Sequence, residues 1–220
     1  MDGEEGWKIS RFVPDGRQPD YASPEDSARI LKTLRRLHTS GIKVDYGLSP
    51  WEDAEAMEHL LTASVPGCFD SFLALKEKVR RVYQSTLGDG IEKCFCHGDT
   101  YRPNWILRED GTTILIDWEY AGYSDPGIDV GYYIVDAMYS EDRARAFILE
   151  YLQADEQALW SGPDSAALQR QLHHYLAYTC LIAYYWFVWA LYRASCGADM
   201  GQALSNWRLM ADTYADLALK

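Results

Sequence analysis

Three polar residues near the middle of the chain have the types and spacing of a phosphate and metal site. Asp99 follows His97 and Gly98, Asn104 comes five residues after Asp99, and Asp117 follows the next apolar run. The pair Asp110-Gly111 lies between the last two and is typical of a two-residue hairpin turn. A hairpin centred on this pair places Asn104 directly opposite Asp117.

Opposed residues of a hairpin share one face, with Cα atoms about 4.5 to 5.5 Å apart. A carboxylate beside an amide oxygen suits Mg²⁺, which completes its shell with water and phosphate oxygens. Asp99 lies in the loop that leads into the hairpin. We therefore expect Asp99 to accept or orient a hydroxyl proton while a metal at Asn104 and Asp117 neutralises a transferring phosphoryl group.

Two other interpretations concern the segment before Asp99. His97 is a candidate general base, because its reference pKa lies near neutrality. Cys94, Cys96 and His97 also resemble part of a zinc site, but structural zinc takes four ligands and no second Cys or His pair completes the set. The five cysteines form no regular framework, which favours a reduced, cytoplasmic compartment.

Short β-prone segments surround this site, and helical patterns occupy the rest of the chain. The predicted strands are 8–13, 93–96, 105–107 and 113–116. Ser23 and Pro24 begin the first predicted helix, with Ile30, Leu31, Leu34 and Leu37 as its apolar stripe. The other predicted helices are 51–63, 69–87, 127–138, 141–152, 164–195 and 200–218. The predicted fold class is α+β, mainly α-helical, with a small β-hairpin insert.

Aromatic residues are concentrated on the late helix. Tyr185, Trp189 and Tyr192 lie on one of its faces, and Trp186 neighbours Trp189. Such a stripe is either ordinary core or a cage for a quaternary ammonium group, which aromatic faces attract. The uncharged stretch Tyr175–Tyr192 has nearly the length of a membrane span, but tyrosines along its whole length favour a buried helix.

The composition indicates which classes of partner the protein can bind. The 220 residues carry a net charge of −12, which argues against nucleic acid, since phosphate backbones require an excess of Lys and Arg. An acidic field instead concentrates cationic ligands and magnesium. Residues 1–6 lack the basic and apolar regions of a signal peptide.

The central motifs resemble a known family. The sequence H-G-D-x-x-x-x-N from His97 to Asn104, I-D-W-E up to Glu119, and Asp125-Pro126 with Asp129 are similar to the choline/ethanolamine kinases, above all the bacterial choline kinases. The resemblance implies the C-terminal lobe of a protein kinase-like fold. It also implies Asp99 as catalytic base, Asn104 and Asp117 as magnesium ligands, His97 as a brace for the loop, and ATP as phosphoryl donor.

The same resemblance implies a pocket for a small cation such as choline. Family members present W-x-x-W on a C-terminal helix, and Trp189 and Tyr192 occupy those positions here, with Tyr in place of the second Trp. Three further residues match family positions that line the pocket, namely Glu119, Tyr120 and Asp136. Tyr185 and Trp186 join them on the aromatic helix. Glu119 has an alternative role, which is to assist the metal through a water molecule.

Family members also carry a preceding β-rich lobe with a phosphate-covering loop. The chain contains neither G-x-G-x-x-G nor G-x-x-x-x-G-K-[ST]. We expect residues 1–20 to be a remnant of that lobe and residues 21–220 to form the helical phosphotransferase lobe. Two alternatives remain, an aminoglycoside or other small-molecule O-kinase and a non-catalytic cation-binding module. The sequence leaves the oligomeric state open.

Overall fold

The computed structural model describes residues 10–61, 69–154 and 166–220. Helices dominate these residues, and the strands are short. The helices are α1 (Pro24–His38), α2 (Pro50–Glu58), α3 (Phe69–Thr86), α4 (Gly127–Asp136), α5 (Glu141–Gln153), α6 (Ala166–Ser195) and α7 (Ala203–Ala218). The strands are β1 (Gly16–Arg17), β2 (Cys94–Cys96), β3 (Trp105–Arg108), β4 (Thr113–Leu115) and β5 (Gly122–Ser124). The predicted mainly helical α+β class is confirmed.

Local signals located most helices correctly. Ser23 caps α1, since its hydroxyl oxygen accepts from the N–H of Asp26 at 3.2 Å, and Ile30 and Leu34 are fully buried as their spacing predicts. Helix α2 ends at Glu58 rather than at residue 63, and residues 62–63 lie outside the described part of the chain. A cap and an apolar stripe are therefore sufficient to predict a helix, although not its last turn.

The predicted strand at 8–13 is wrong where the structure describes it. Residues 10–13 are not in a strand, while residues 8–9 lie outside the described range. The strand instead follows the turn at Pro14 and Asp15 and pairs with β3. The guanidinium of Arg17 makes a bidentate ion pair with the buried Asp26, at 2.5 and 2.7 Å. This pair fixes β1 against the start of α1.

The hairpin of β3 and β4 is offset by one residue from the sequence prediction, which placed Asn104 opposite Asp117. The N–H of Ile116 donates to the backbone oxygen of Asn104 at 3.0 Å, and Ile106 pairs with Ile114 in the same register. The prediction that Asn104 and Asp117 are directly opposed is therefore wrong.

The length of the loop explains the offset. The N–H of Arg108 donates to the backbone oxygen of Thr112 at 2.9 Å, which leaves residues 109–111 as a three-residue loop. Gly111 has φ of 84°, the left-handed conformation that closes three-residue hairpin loops. One extra loop residue shifts each facing pair by one position.

Helix α6 forms the centre of the core. It packs against α2, α3, α4, α5 and α7, and its buried residues include Leu181, Tyr184 and Phe187. Helix α6 is long and apolar enough to cross a membrane, but 72% of its most apolar 18-residue stretch is buried inside the structure. Such burial is typical of the core helix of a soluble protein, as the sequence predicts.

Candidate active site

His97 connects the loop that carries Asp99 to the end of β4. Its Nε2 lies 2.9 Å from the backbone oxygen of Ile116, and its Nδ1 accepts from the N–H of Asp99 at 3.3 Å. A carbonyl oxygen can only accept, so these contacts assign the neutral tautomer with the proton on Nε2. Burial lowers the pKa of His97 despite the nearby carboxylate of Asp129. His97 is thus placed as a brace, with both nitrogens engaged.

The backbone conformation at position 98 requires a glycine. Its φ is 81°, and a Cβ at this position would lie 2.5 Å from the backbone oxygen of Tyr120. Only glycine combines the left-handed conformation with that close approach at low cost. The loop before Asp99 can therefore pass directly against the segment that follows Asp117.

The carboxylate of Asp129, on α4, holds the same loop from behind. It accepts from the N–H of His97 and from the N–H of Gly98, each at 2.8 Å, and it lies 2.9 Å from Nε2 of His38. Burial raises the pKa of Asp129, but these donors outweigh burial and lower it overall. Asp129 is fully buried and anchors the loop to the helical core.

Asn104 and Asp99 are in direct contact. The side-chain N–H₂ of Asn104 donates to the backbone oxygen of Asp99 at 2.8 Å and to its Oδ2 at 2.9 Å. Asn104 is 3% exposed, and its position follows from a short 3₁₀ turn, Arg102–Asn104, just before β3. With both amide protons facing Asp99, the amide oxygen of Asn104 is the atom that is left to coordinate a cation.

Asp117 reaches this group by an unusual backbone conformation. It has φ of 65° and ψ of 64°, which is rare for a residue other than glycine and breaks the alternation of the strand. Burial raises the pKa of Asp99 to about 6, the hydrogen bond from Asn104 opposes that rise, and the charges of Asp117, Glu119 and Asp136 add to it. The carboxylates of Asp117, Glu119 and Asp136 therefore lie close enough to Asp99 to oppose its ionisation.

The donor set fits magnesium. Hard oxygen atoms come from the carboxylate of Asp117 and the amide of Asn104, and both residues lie around Asp99. The negative charge that surrounds Asp99 also favours a bound cation. Glu119 is exposed on the 3₁₀ turn Trp118–Tyr120, and its charge reaches both Asp99 and Tyr120.

Asp136 has structural partners as well as a place in the acidic group. Its Oδ2 accepts from the hydroxyl of Tyr21 and from the N–H of Arg102 at 2.7 Å. The guanidinium of Arg102 lies 5.7 Å from the ring centre of Tyr21. Asp136 therefore fastens the segment after β1 to the loop that contains Asp99.

Aromatic rings extend from the carboxylates along α6. Burial raises the pKa of Tyr185 to about 12, with smaller contributions from Asp53, Tyr120 and Asp99. The ring of Tyr132 lies 6.4 Å from that of Tyr185 and 5.3 Å from that of Trp186. Tyr120, Tyr185 and Trp186, three of the predicted residues, therefore belong to one aromatic group next to Asp99.

Trp189 and Tyr192 lie further along the helix. The ring of Trp189 packs 6.2 Å from that of Trp207, which also contacts Trp186 at 4.9 Å. Trp189 is 38% exposed, and the guanidinium of Arg193 lies 5.7 Å from its ring centre. The contacts described for this helix connect Trp189 to the aromatic group through Trp207, but they do not connect Tyr192 to it.

Four residues of the site were missed by the sequence prediction. Asp129 was noted only as part of a motif, although its distance from Asp125-Pro126 was a usable signal. Tyr132 had none, because its neighbours in α4 are also apolar, and Trp207 had none, because it lies on α7, outside the motifs and the aromatic helix. Tyr21 could not have been found, since its partner Asp136 is 115 residues away.

The site can be compared with known proteins. Residues 1–168 match the model of a family described as "Phosphotransferase enzyme family". Protein LicA of Haemophilus influenzae is 29% identical over 206 residues, which cover 91% of this chain and 58% of that protein. A probable ethanolamine kinase of Arabidopsis thaliana is 29% identical over 196 residues, which cover 80% of this chain and 51% of that protein.

The fold has a close counterpart among solved structures. The crystal structure of choline kinase LicA from Streptococcus pneumoniae matches with a TM-score of 0.78 at 22% identity, covering 99% of this chain and 73% of that chain. The predicted fold is therefore confirmed. The chain spans little more than half the length of the Haemophilus influenzae and Arabidopsis thaliana relatives.

Proposed function

Because the chain belongs to the phosphotransferase enzyme family, we propose that it transfers the γ-phosphoryl group of ATP to the hydroxyl of choline or a similar amino alcohol. The observation that carries the proposal is the contact of Asn104 with Asp99 inside a group of four carboxylates. The named relatives include a choline kinase and a probable ethanolamine kinase, which supports an amino alcohol as acceptor.

Asp99 acts on the acceptor hydroxyl in this proposal. Its carboxylate is half-buried and held by Asn104 on Oδ2, so it can orient the hydroxyl and take its proton as the phosphoryl group is transferred. Nδ1 of His97 accepts from the backbone N–H of Asp99 and keeps that residue in place. His97 does not take the proton itself. Transfer then depends on positioning and charge neutralisation, with no covalent enzyme intermediate.

Asn104 and Asp117 would hold Mg²⁺, which when bound would neutralise the charge of the phosphate groups. The amide oxygen of Asn104 and the carboxylate of Asp117 are the donors that this role requires. Glu119 either joins them through a water molecule or faces the acceptor cation.

The acceptor side combines carboxylates and aromatic rings. A quaternary ammonium ion cannot donate hydrogen bonds, so aromatic faces and nearby negative charge are the groups that recognise it. Tyr120, Tyr132, Tyr185 and Trp186 supply such faces next to Asp99. Trp189 and Trp207 extend the same aromatic group along the helix, and Tyr192 would contribute at the end farthest from Asp99.

The proposal is tested by incubating the 220-residue chain with MgATP and choline and observing phosphocholine by ³¹P nuclear magnetic resonance. Wild type should form the product, and Asp99→Asn should lose turnover while calorimetry shows choline binding largely unchanged. Turnover retained by Asp99→Asn would remove Asp99 as the base.

A substrate series separates the alternatives. Choline should be a better acceptor than ethanolamine, and both better than an aminoglycoside. A preference for the aminoglycoside would assign the site to another small-molecule O-kinase. Choline binding without nucleotide binding or turnover would instead identify a cation-binding module.

A further inference from the structure

A second cluster of metal-ligating side chains lies behind the loop that carries Asp99. Cys94 and Cys96, on β2, and His38, on α1, have ligand atoms that all lie within 4.8 Å of one another. Cys96 is fully buried and His38 is 9% exposed, while Cys94 is half-buried. Both cysteines are free thiols. The sequence suggested His97 as the third member, but the histidine whose ring nitrogen lies near the two sulfur atoms is His38.

The distance between the two sulfur atoms fits a tetrahedral metal. The Sγ atoms of Cys94 and Cys96 lie 3.7 Å apart. Two zinc–sulfur bonds of about 2.3 Å at a tetrahedral angle place the sulfur atoms about 3.8 Å apart. The thiols therefore already have the separation that they would have as ligands of one ion.

His38 is oriented as metal-binding histidines are. Its Nε2 lies 2.9 Å from Oδ2 of Asp129, and a ligating histidine almost always donates its other ring N–H to such a partner. Its Nδ1 lies 2.7 Å from the hydroxyl of Tyr151. The hydroxyl of Tyr151 also accepts from Tyr175, so Tyr151 keeps that contact when Nδ1 binds an ion, although its own proton then loses Nδ1 as acceptor.

We propose that Cys94, Cys96 and Nδ1 of His38 form a site for a thiophilic divalent cation, Zn²⁺, distinct from the magnesium site. Two sulfur ligands and an imidazole select zinc over magnesium, which prefers oxygen. Binding releases the two thiol protons to solvent and leaves the Zn²⁺–dithiolate unit with no net charge. A water molecule entering beside Cys94 would be the fourth ligand.

The site adjoins the catalytic loop. Cys96 immediately precedes His97, and Asp129, the partner of His38, also holds the N–H groups of His97 and Gly98. A bound ion would therefore tie β2 and α1 to the anchor of the loop. The inference does not depend on the proposed kinase activity.

The test uses Co²⁺ as a spectroscopic probe of the full chain under reducing conditions. Wild type should bind one equivalent and show an intense thiolate-to-cobalt band in the near ultraviolet, which Zn²⁺ should abolish and excess Mg²⁺ should not. Cys94→Ser should bind Co²⁺ at least about 10-fold more weakly, and at saturation its band should be weaker, since only one thiolate remains. The half-buried position of Cys94 allows this variant to fold, which circular dichroism verifies.

Three controls make the result specific. Cys196→Ser removes an exposed thiol and should keep the band. Tyr151→Phe removes the competing hydroxyl and should bind at least as tightly as wild type. Asp117→Asn, which alters the magnesium site, should also keep the band. A missing band in wild type, or a band of unchanged intensity and affinity in Cys94→Ser, would overturn the proposal.

Discussion

Asn104 donates both protons of its side-chain amide to one residue, reaching the backbone oxygen of Asp99 at 2.8 Å and its Oδ2 at 2.9 Å. This contact fixes the carboxylate of Asp99 relative to the hairpin and leaves the amide oxygen of Asn104 facing away from Asp99. It also lowers the pKa of Asp99, against burial and the surrounding negative charge. One side chain thus orients the proposed base and supplies a proposed metal ligand.

Replacing Asn104 with Ala should therefore lower kcat by roughly 100-fold, because Asp99 loses its orientation. The Mg²⁺ concentration for half-maximal turnover should also rise, because a ligand is lost. Turnover measured against Mg²⁺ concentration checks both effects. Asn206→Ala is the matched control, and an equal loss in that variant would refute a specific role for Asn104.

His97 and Asp99 can be separated as brace and base. His97→Asn should keep measurable turnover, because it leaves the proposed base Asp99 in place, and Asp99→Asn should have none. His97→Asn should also unfold at a lower urea concentration, because Ile116 loses a buried donor at a cost of about 1–3 kcal/mol. If the two variants were equally inactive with unchanged stability, His97 would be the base.

Asp129 should be required for stability as well as for the loop. Asp129→Ala removes the acceptor of two buried N–H groups and the partner of His38. Loss of one member of a buried charged network costs about 3–5 kcal/mol. Urea unfolding of Asp129→Ala and of Asp45→Ala, which changes an exposed carboxylate, measures the difference. Similar midpoints for the two variants would contradict the assigned anchor.

The helices could be predicted from sequence because their signals are local. Ser23 and the stripe through Ile30 and Leu34 lie within one helix, so spacing alone locates it. The hairpin register could not be predicted to one residue, because the left-handed conformation of Gly111 decides the loop length. That difference moved Asn104 away from its expected partner Asp117.

Contacts within the site could be predicted where they lie in one motif. His97, Asp99 and Asn104 are neighbours in sequence, and the structure joins them by hydrogen bonds. His38 and Asp129 are 91 residues apart, and no periodicity relates them. Contacts of this kind depend on how α1 and α4 pack, which a single sequence does not specify.

His174 should make stability depend on pH. Its Nδ1 lies 2.6 Å from Asp89 and its Nε2 2.8 Å from Asp125, and it is 1% exposed. Burial opposes its charge, but the two carboxylates outweigh burial and raise the pKa of His174. His173, on the same helix, interacts electrostatically with His174 and Asp89, and the ring of Tyr178 packs against His174.

A raised pKa stabilises the folded state fully below the unfolded value of about 6.5. This contribution is lost as pH rises through the folded-state pKa of His174. The stability difference between wild type and His174→Gln, measured by urea unfolding, should therefore shrink as pH is raised from below that value. His173→Gln is the control, because burial lowers the pKa of His173 and its contribution has the opposite dependence. A difference for His174→Gln that does not change with pH would show that folding leaves the pKa of His174 unshifted.

Tyr185 should discriminate between a cation and a neutral acceptor. Its ring belongs to the aromatic group next to Asp99, and Tyr132 packs against it at 6.4 Å. Tyr185→Leu should raise KM for choline by about 2- to 30-fold, the equivalent of about 0.5–2 kcal/mol of cation–π attraction, with kcat little changed. Tyr185→Phe keeps the aromatic face and should stay near wild type.

The neutral isostere 3,3-dimethylbutanol isolates the charge. It has the shape of choline without the positive nitrogen, so Tyr185→Leu should change its KM much less than that of choline. KM values for ATP, measured in parallel, should be the same in all three proteins, because Tyr185 is proposed to face the acceptor. An equal rise in KM for choline and for its isostere in Tyr185→Leu would mean that Tyr185 recognises the shape of the acceptor and not its charge. The aromatic group would then be ordinary core.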